Sequence, residues 1–90
     1  MRDTDYATER ATADINWCRI ERLYVKQMEQ EEIRFSWWKE GHLTNRPLDL
    51  PERELLPLLR RAIEKGVFTD AFLRDLHSLL YEVRGEKRNA

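Results

Sequence analysis

Apolar residues spaced as on one face of an α-helix run through the first forty positions, and this pattern constrains the fold more than any other feature. At 100° per residue they stay in phase over about nine turns, and only Glu31 interrupts the middle. The pattern predicts one long helix over about residues 5–39, with Asp3 or Thr4 as N-cap and Gly41 at its end. The stripe consists of Tyr6, Ala13, Trp17, Ile20, Tyr24, Met28, Phe35 and Trp38.

A second, weaker apolar strip lies on the opposite side of the same predicted helix. A helix that is apolar on two sides is covered on two sides, and the short remainder of the chain covers only one. We therefore expect a homo-oligomer in which a second copy covers the other side. The residues expected to make this self-association contact are Ala7, Ala11, Ile15, Cys18 and Val25.

A strand pattern competes with the C-terminal end of this helix. Apolar residues at positions 33, 35 and 37 alternate with the residues between them, which is the side-chain period of a strand. Lys39–His42 would then form a turn, and residues 43–50 would return as a second strand with Pro47 at an edge. The alternative fold is α+β, with a small hairpin at residues 32–50.

Two further helices are predicted in the C-terminal part of the chain. The first covers about residues 52–65, follows a capping-box spacing at Asp49–Glu52, contains Pro57 as a kink or late start, and ends at Gly66.

The second of these helices covers about residues 70–84, with Thr69 as N-cap and Gly85 at its end. The short link between the two predicts an αα-hairpin. The fold predicted first is therefore all-α. In it, a single small domain over residues 1–90 has frayed ends at 1–4 and 86–90, and the long helix packs on the hairpin.

Length and composition narrow the classes of function. Ninety residues with one cysteine allow no internal disulfide and no cysteine pair for a metal, which leaves self-association as support and fits the reducing cytoplasm. The net charge of −1 lacks the basic footprint of most nucleic-acid binders. No run of 18 apolar residues is present, so we expect no membrane segment.

No combination of residues predicts catalysis, a metal or a cofactor. His42 and His77 lie in different elements and have no ligand at the spacing that a metal needs on a helix. Cys18 has no histidine placed to activate it, and the three isolated glycines form no phosphate loop. We expect a protein that is not an enzyme.

The adjacent Trp37 and Trp38 indicate a protein-binding site. They differ by 100° on a helix, so only Trp38 lies in the apolar stripe. Trp37 is either packed on its own connector or exposed between Arg34 and Lys39 as an interface hot spot. The predicted function is a non-enzymatic interaction module or small regulator, like those of phages and mobile elements, that self-associates through its long helix and binds a larger protein partner.

A modest basic cluster on the C-terminal helices supports an alternative function. Two helices with a short link are typical of helix-turn-helix DNA-binding transcriptional regulators. Two aspartates near the start of the last helix would face phosphates, which weakens this alternative. The residues that would contact nucleic acid are Arg60, Arg61, Lys65 and Arg74.

Overall fold

The protein consists of a small antiparallel sheet followed by two helices, in a computed structural model that describes residues 3–43 and 46–89. The all-α prediction is wrong, and the α+β alternative is the observed class. Each strand of the sheet pairs with the next as far as β4, and β5 pairs with β3 again. The elements are β1 (Ala7–Ile15), β2 (Cys18–Val25), β3 (Gln30–Lys39), β4 (His42–Leu43), β5 (Leu48–Leu50), α1 (Glu52–Glu64) and α2 (Asp70–Asn89).

The predicted long helix over residues 5–39 is replaced by three antiparallel strands. The chain reverses first at Asn16 and again in the loop that ends at Glu29, and both residues have positive φ, 55° and 51°. Strand pairing is favoured over the predicted helix because it buries Leu23 and Val25 together on one side of the sheet, at 2% and 1% exposure. Full burial of such side chains contributes roughly 1.5–3 kcal/mol each.

The turn predicted at Lys39–His42 in the alternative fold is confirmed. Glu40 and Gly41 both have positive φ, 53° and 79°, as a two-residue type I′ hairpin turn requires. Gly41 therefore ends no helix. The predicted return strand is divided into β4 and β5, and Thr44 and Asn45 between them lie outside the described residues.

The register places alternate residues of each strand on opposite sides of the sheet. The side that we call the inner face carries polar groups among its buried residues, including Glu21, Glu32 and Ser36. The side that we call the outer face carries Ile20, Phe35 and Trp37, among others. Arg34 and Asp49 pair on the inner face. The buried apolar residues are Ala7, Leu23 and Val25 of the inner face and Ile33 and Leu50 of the outer face.

The first C-terminal helix is observed close to its predicted bounds, but its start is built differently. Asp49 belongs to β5 and bonds to Arg34, so it does not cap the helix. The first turn is closed instead by a hydrogen bond from the Glu54 N–H to the Pro51 carbonyl at 2.9 Å. Pro57 lies inside α1, where it leaves one carbonyl of the preceding turn without its helical donor.

The junction between the two helices follows the predicted caps. Gly66 has a φ of 76°, and the amides of Gly66 and Val67 donate to the carbonyls of Ile63 and Ala62, which is a Schellman motif. The Thr69 hydroxyl accepts a hydrogen bond from the Phe72 N–H at 3.1 Å, as an N-cap does.

The last helix is longer than predicted, because α2 continues through Gly85 to Asn89. The chain divides into two compact units, residues 1–56 and residues 57–90. The predictions of a single domain and of frayed ends remain predictions. Met1, Arg2 and Ala90 lie outside the described residues.

Candidate interaction surface

An apolar groove of about 610 Å³ lies on the outer face of the sheet. Four strands contribute to it, because cross-strand pairing aligns Ile20 with Phe35 and Phe35 with Leu48. The lining also includes Arg46 and the strand residues Asp14, Arg19 and Ser36, whose side chains alternate to the inner face. Its apolar lining consists of Ala13, Ile15, Cys18, Ile20, Phe35, Trp37 and Leu48.

Several of the groove side chains are unusually exposed for apolar residues. Ile15 is 74% exposed, Leu48 55%, Ile20 50% and Trp37 48%. Directly opposed residues on antiparallel strands lie about 4.5–5.5 Å apart, so these side chains form one continuous patch rather than scattered points. Contiguous exposed apolar surface of this kind is typical of binding sites.

The three predicted partner-binding residues do not share one surface. Trp37 lies on the outer face, in register with Cys18. Lys39 lies on the same side, two positions further along β3, and its Nζ is 5.8 Å from the centre of the Trp17 ring. Arg34 lies on the inner face, so the structure separates it from Trp37. Whether any of them binds a partner remains a prediction.

Arg34 is held in an ion pair within the fold. Its Nε and Nη2 donate to the two carboxylate oxygens of Asp49 at 2.8 and 2.9 Å, and both side chains are mostly buried. The hydrogen bonds and the charge of Asp49 raise the pKa of Arg34, against the opposing effect of desolvation. Glu21 faces Arg34 from β2, and the Arg34 guanidinium lies 5.7 Å from the Tyr6 ring centre. Arg34 therefore joins three elements of the sheet.

The residues predicted for self-association also divide between the two faces. Ala7 and Val25 pair with each other on the inner face and are buried, so neither is available to a second copy. Ala11, Ile15 and Cys18 are exposed on the outer face, and Ile15 and Cys18 line the groove. The predicted contact through a long helix is wrong because that helix does not exist.

The residues of the DNA-binding alternative are exposed on the helices. Arg60 pairs with Glu64 at 3.7 Å along α1, and Arg61 lies beside it. Lys65 follows the end of α1, and Arg74 lies on α2. Contact with nucleic acid remains a prediction.

The sequence does not predict that most of the groove residues lie together on one surface. The helical pattern places Ile20 and Phe35 in its stripe, and Leu48 in a connector. The signal that is present is the alternation of apolar residues at positions 33, 35 and 37, which places Trp37 on the same side as Phe35. Extending it across β2 to Cys18 and Ile20 requires the strand register, which one sequence does not fix.

No group of three or more metal-ligating side chains occurs within residues 3–43 and 46–89. In the same part of the chain, no helix is long and apolar enough to cross a membrane. No family model, no curated protein and no solved structure matches this chain.

Proposed function

We propose that this chain is a non-enzymatic protein–protein interaction module whose binding surface is the outer-face groove around Trp37. The observation that carries the proposal is an exposed tryptophan that lines a continuous apolar patch on strands. Tryptophan is the residue type most enriched among interface hot spots, and such residues lie near the centre of interfaces. A regulator acting in the cytoplasm belongs to the same proposal.

The groove indicates an extended apolar segment of a larger protein as the partner. β1 pairs with β2 on one side, and no other described strand pairs with it beyond Thr8. Residues 11–15 of β1 are all exposed and end at the groove. A partner segment that pairs with this edge would gain main-chain hydrogen bonds beside Ala13 and Ile15, and the apolar residues that follow it would cross the outer face to lie in the groove on Trp37.

Selection of peptides on the immobilised protein tests the proposal even though the partner is unidentified. A displayed library of random peptides is enriched on the wild type, and the affinities of the selected peptides are measured by calorimetry. We expect selected peptides to carry alternating large apolar residues. Trp37→Ala should weaken their binding by about thirtyfold, since loss of a hot-spot side chain costs about 2 kcal/mol or more.

Trp17→Ala is the matched control for this experiment. Trp17 is exposed to a similar extent, 51% against 48% for Trp37, but it lies in the β1–β2 turn and does not line the groove. Its replacement should leave peptide affinity within about twofold of wild type, a factor worth only about 0.4 kcal/mol. If both variants weaken binding equally, or if peptide-induced NMR shifts fall outside the outer face, the proposed surface is wrong.

A further inference from the structure

The outer face of the sheet carries charged side chains beyond the end of the groove that is farther from Trp37. Along β2, Cys18 pairs with Trp37, and Arg22 lies four positions further on the same face. The Arg22 guanidinium pairs with Glu31 at 2.9 Å and with Glu52 at 2.7 Å. The charge of Arg22 is therefore already balanced by carboxylates of the same chain.

Two cations at the Trp37 end of the groove lack such carboxylates. Lys39 lies two positions after Trp37 on the same face of β3. Arg46 lines the groove two positions before Leu48. Leu48 pairs with Phe35 of the antiparallel β3, so the residues before Leu48 lie toward Trp37. Both cations are exposed, and neither makes an ion pair with any carboxylate in the described part of the chain.

The neighbouring groups leave these two charges uncompensated. The Lys39 Nζ lies 5.8 Å from the centre of the Trp17 ring, which carries no net charge. Glu40 follows Lys39 in the turn, where its φ is 53°, and makes no ion pair with it. Asp14 lines the groove, but its side chain alternates to the inner face. The Trp37 end of the groove is therefore locally positive.

We infer that the segment bound in the groove carries an aspartate or glutamate one or two positions from the apolar residue that packs on Trp37. This inference rests on the proposed function and specifies the chemistry of its partner. Trp37 and Lys39 are about 7 Å apart along β3, and one or two residues of an extended partner span about 3–7 Å. The carboxylate therefore reaches the cations while its apolar neighbour covers the indole ring.

The two cations determine the orientation of the partner more than its total affinity. Residues 1–56 include nine basic and twelve acidic side chains, so the sheet unit as a whole does not attract an acidic partner. Charges more than about 8 Å apart are largely screened at physiological ionic strength, so Lys39 and Arg46 act locally. Charge pairs at the rim of an interface fix its register and raise its association rate. The acidic residue of the partner therefore selects the Trp37 end of the groove.

Parallel selection of one random peptide library on two forms of the full chain tests the inference. The forms are the wild type and the double variant Lys39→Glu/Arg46→Glu. We expect peptides selected on the wild type to be enriched in aspartate and glutamate beside an apolar residue. Peptides selected on the double variant should carry lysine or arginine at the same positions, because the charge of the site is reversed while Trp37 is kept.

The affinities and association rates of the wild-type peptides measure the contribution of each charge. Lys39→Glu and Arg46→Glu should each weaken binding about fivefold, mainly through the association rate, and the loss should shrink in 1 M salt. Arg53→Glu is the matched control. Arg53 is also exposed and without an ion pair in the described part of the chain, but it does not line the groove. Its reversal should leave the affinity within about twofold of wild type.

The outcomes separate this inference from the proposed function. Peptides that depend on Trp37 but bind the double variant as tightly as the wild type overturn the acidic partner alone. An equal loss for Arg53→Glu and Lys39→Glu overturns it as well, since the effect then comes from the net charge. If no peptide is selected, or if Trp37→Ala leaves binding unchanged, both the groove and the acidic partner are wrong. Circular dichroism verifies that each variant keeps its fold.

Discussion

The ion pair between Arg34 and Asp49 should contribute more to the stability of the sheet than any other pair whose side chains are described. Arg34 lies between Asp49 on β5 and Glu21 on β2, with Glu21 only 1% exposed. Replacing Arg34 with Met removes the cation and leaves two carboxylates with little access to water. The shape of the side chain is largely kept, so the variant isolates the loss of charge and hydrogen bonds.

The expected loss in the free energy of unfolding depends on how deeply the charge that remains in each variant is buried. Breaking a buried pair by removing one partner costs about 3–5 kcal/mol, and we expect Arg34→Met to reach this range. Asp49→Ala should cost less, about 2 kcal/mol, because Glu21 still faces the remaining guanidinium. The matched control is Glu52→Ala. Its ion pair with Arg22 is as short, 2.7 Å, but is more exposed, and Arg22 retains Glu31 at 2.9 Å. That loss should cost under about 1 kcal/mol.

Urea unfolding followed by tryptophan fluorescence measures these differences at one fixed protein concentration. All three tryptophans lie within residues 1–56, so the signal reports the unit that contains the ion pair. The slope of unfolding free energy against urea should stay constant while the midpoint falls. Equal losses for Asp49→Ala and Glu52→Ala would refute the reasoning, since the two pairs differ mainly in burial.

Three further results are expected. Leu23→Ala should lower the free energy of unfolding by about 2–5 kcal/mol in the same urea assay, because Leu23 is only 2% exposed and its removal leaves a cavity. The control Leu56→Ala, at a position that is 72% exposed, should change the free energy of unfolding by under about 0.5 kcal/mol. The ammonium of Lys26 and the hydroxyl of Thr8 hold the pKa of Asp3 below its usual value. The stability gained from Asp3 is therefore present above the pKa of the unfolded state and is lost as pH falls through the pKa of the folded state. An NMR titration should show the low pKa of Asp3, and Lys26→Gln should raise it. A salt titration with random duplex DNA should show no binding even at low salt, and binding that falls steeply with salt would favour the helix-turn-helix alternative instead.

The C-terminal helices are predictable because their signals are local. Gly66 takes the left-handed conformation that ends α1, and Thr69 caps α2, where the sequence places both. Gly85 is a misleading stop signal, since glycine is tolerated inside a helix at a cost of about 1 kcal/mol. Asp49 is a misleading cap signal because its actual partner, Arg34, lies fifteen positions away.

The strands of the N-terminal sheet are hard to predict from the sequence because the inner face of the sheet contains charged residues. Glu21, Glu32 and Arg34 point to the same side as Leu23 and Val25, so no clean alternation of apolar and polar residues marks β2 and β3. Arg34 is buried there in its ion pair with Asp49 of β5, and Glu32 accepts a hydrogen bond from Gln30 of its own strand. The apparent helical stripe mixes residues of both faces.

The turns of the sheet also carry weak signals. Glu29 and Glu40 adopt positive φ, a conformation for which glutamate has no preference, and Asn16 is followed by tryptophan rather than glycine. Only the Glu40–Gly41 turn contains the expected residue. Trp37 can be singled out from the sequence as unusual, but its neighbours in the groove come from strands whose register depends on the whole sheet.

The solvent-facing thiol of Cys18 gives the protein a built-in attachment point. Cys18 is the only cysteine, and it lies in the lining of the groove. A maleimide fluorophore or spin label will therefore attach at one known position without any mutation, and its signal will report directly when a ligand enters. The same thiol can join two molecules under oxidising conditions, so covalent dimers in non-reducing gels are no evidence of non-covalent self-association.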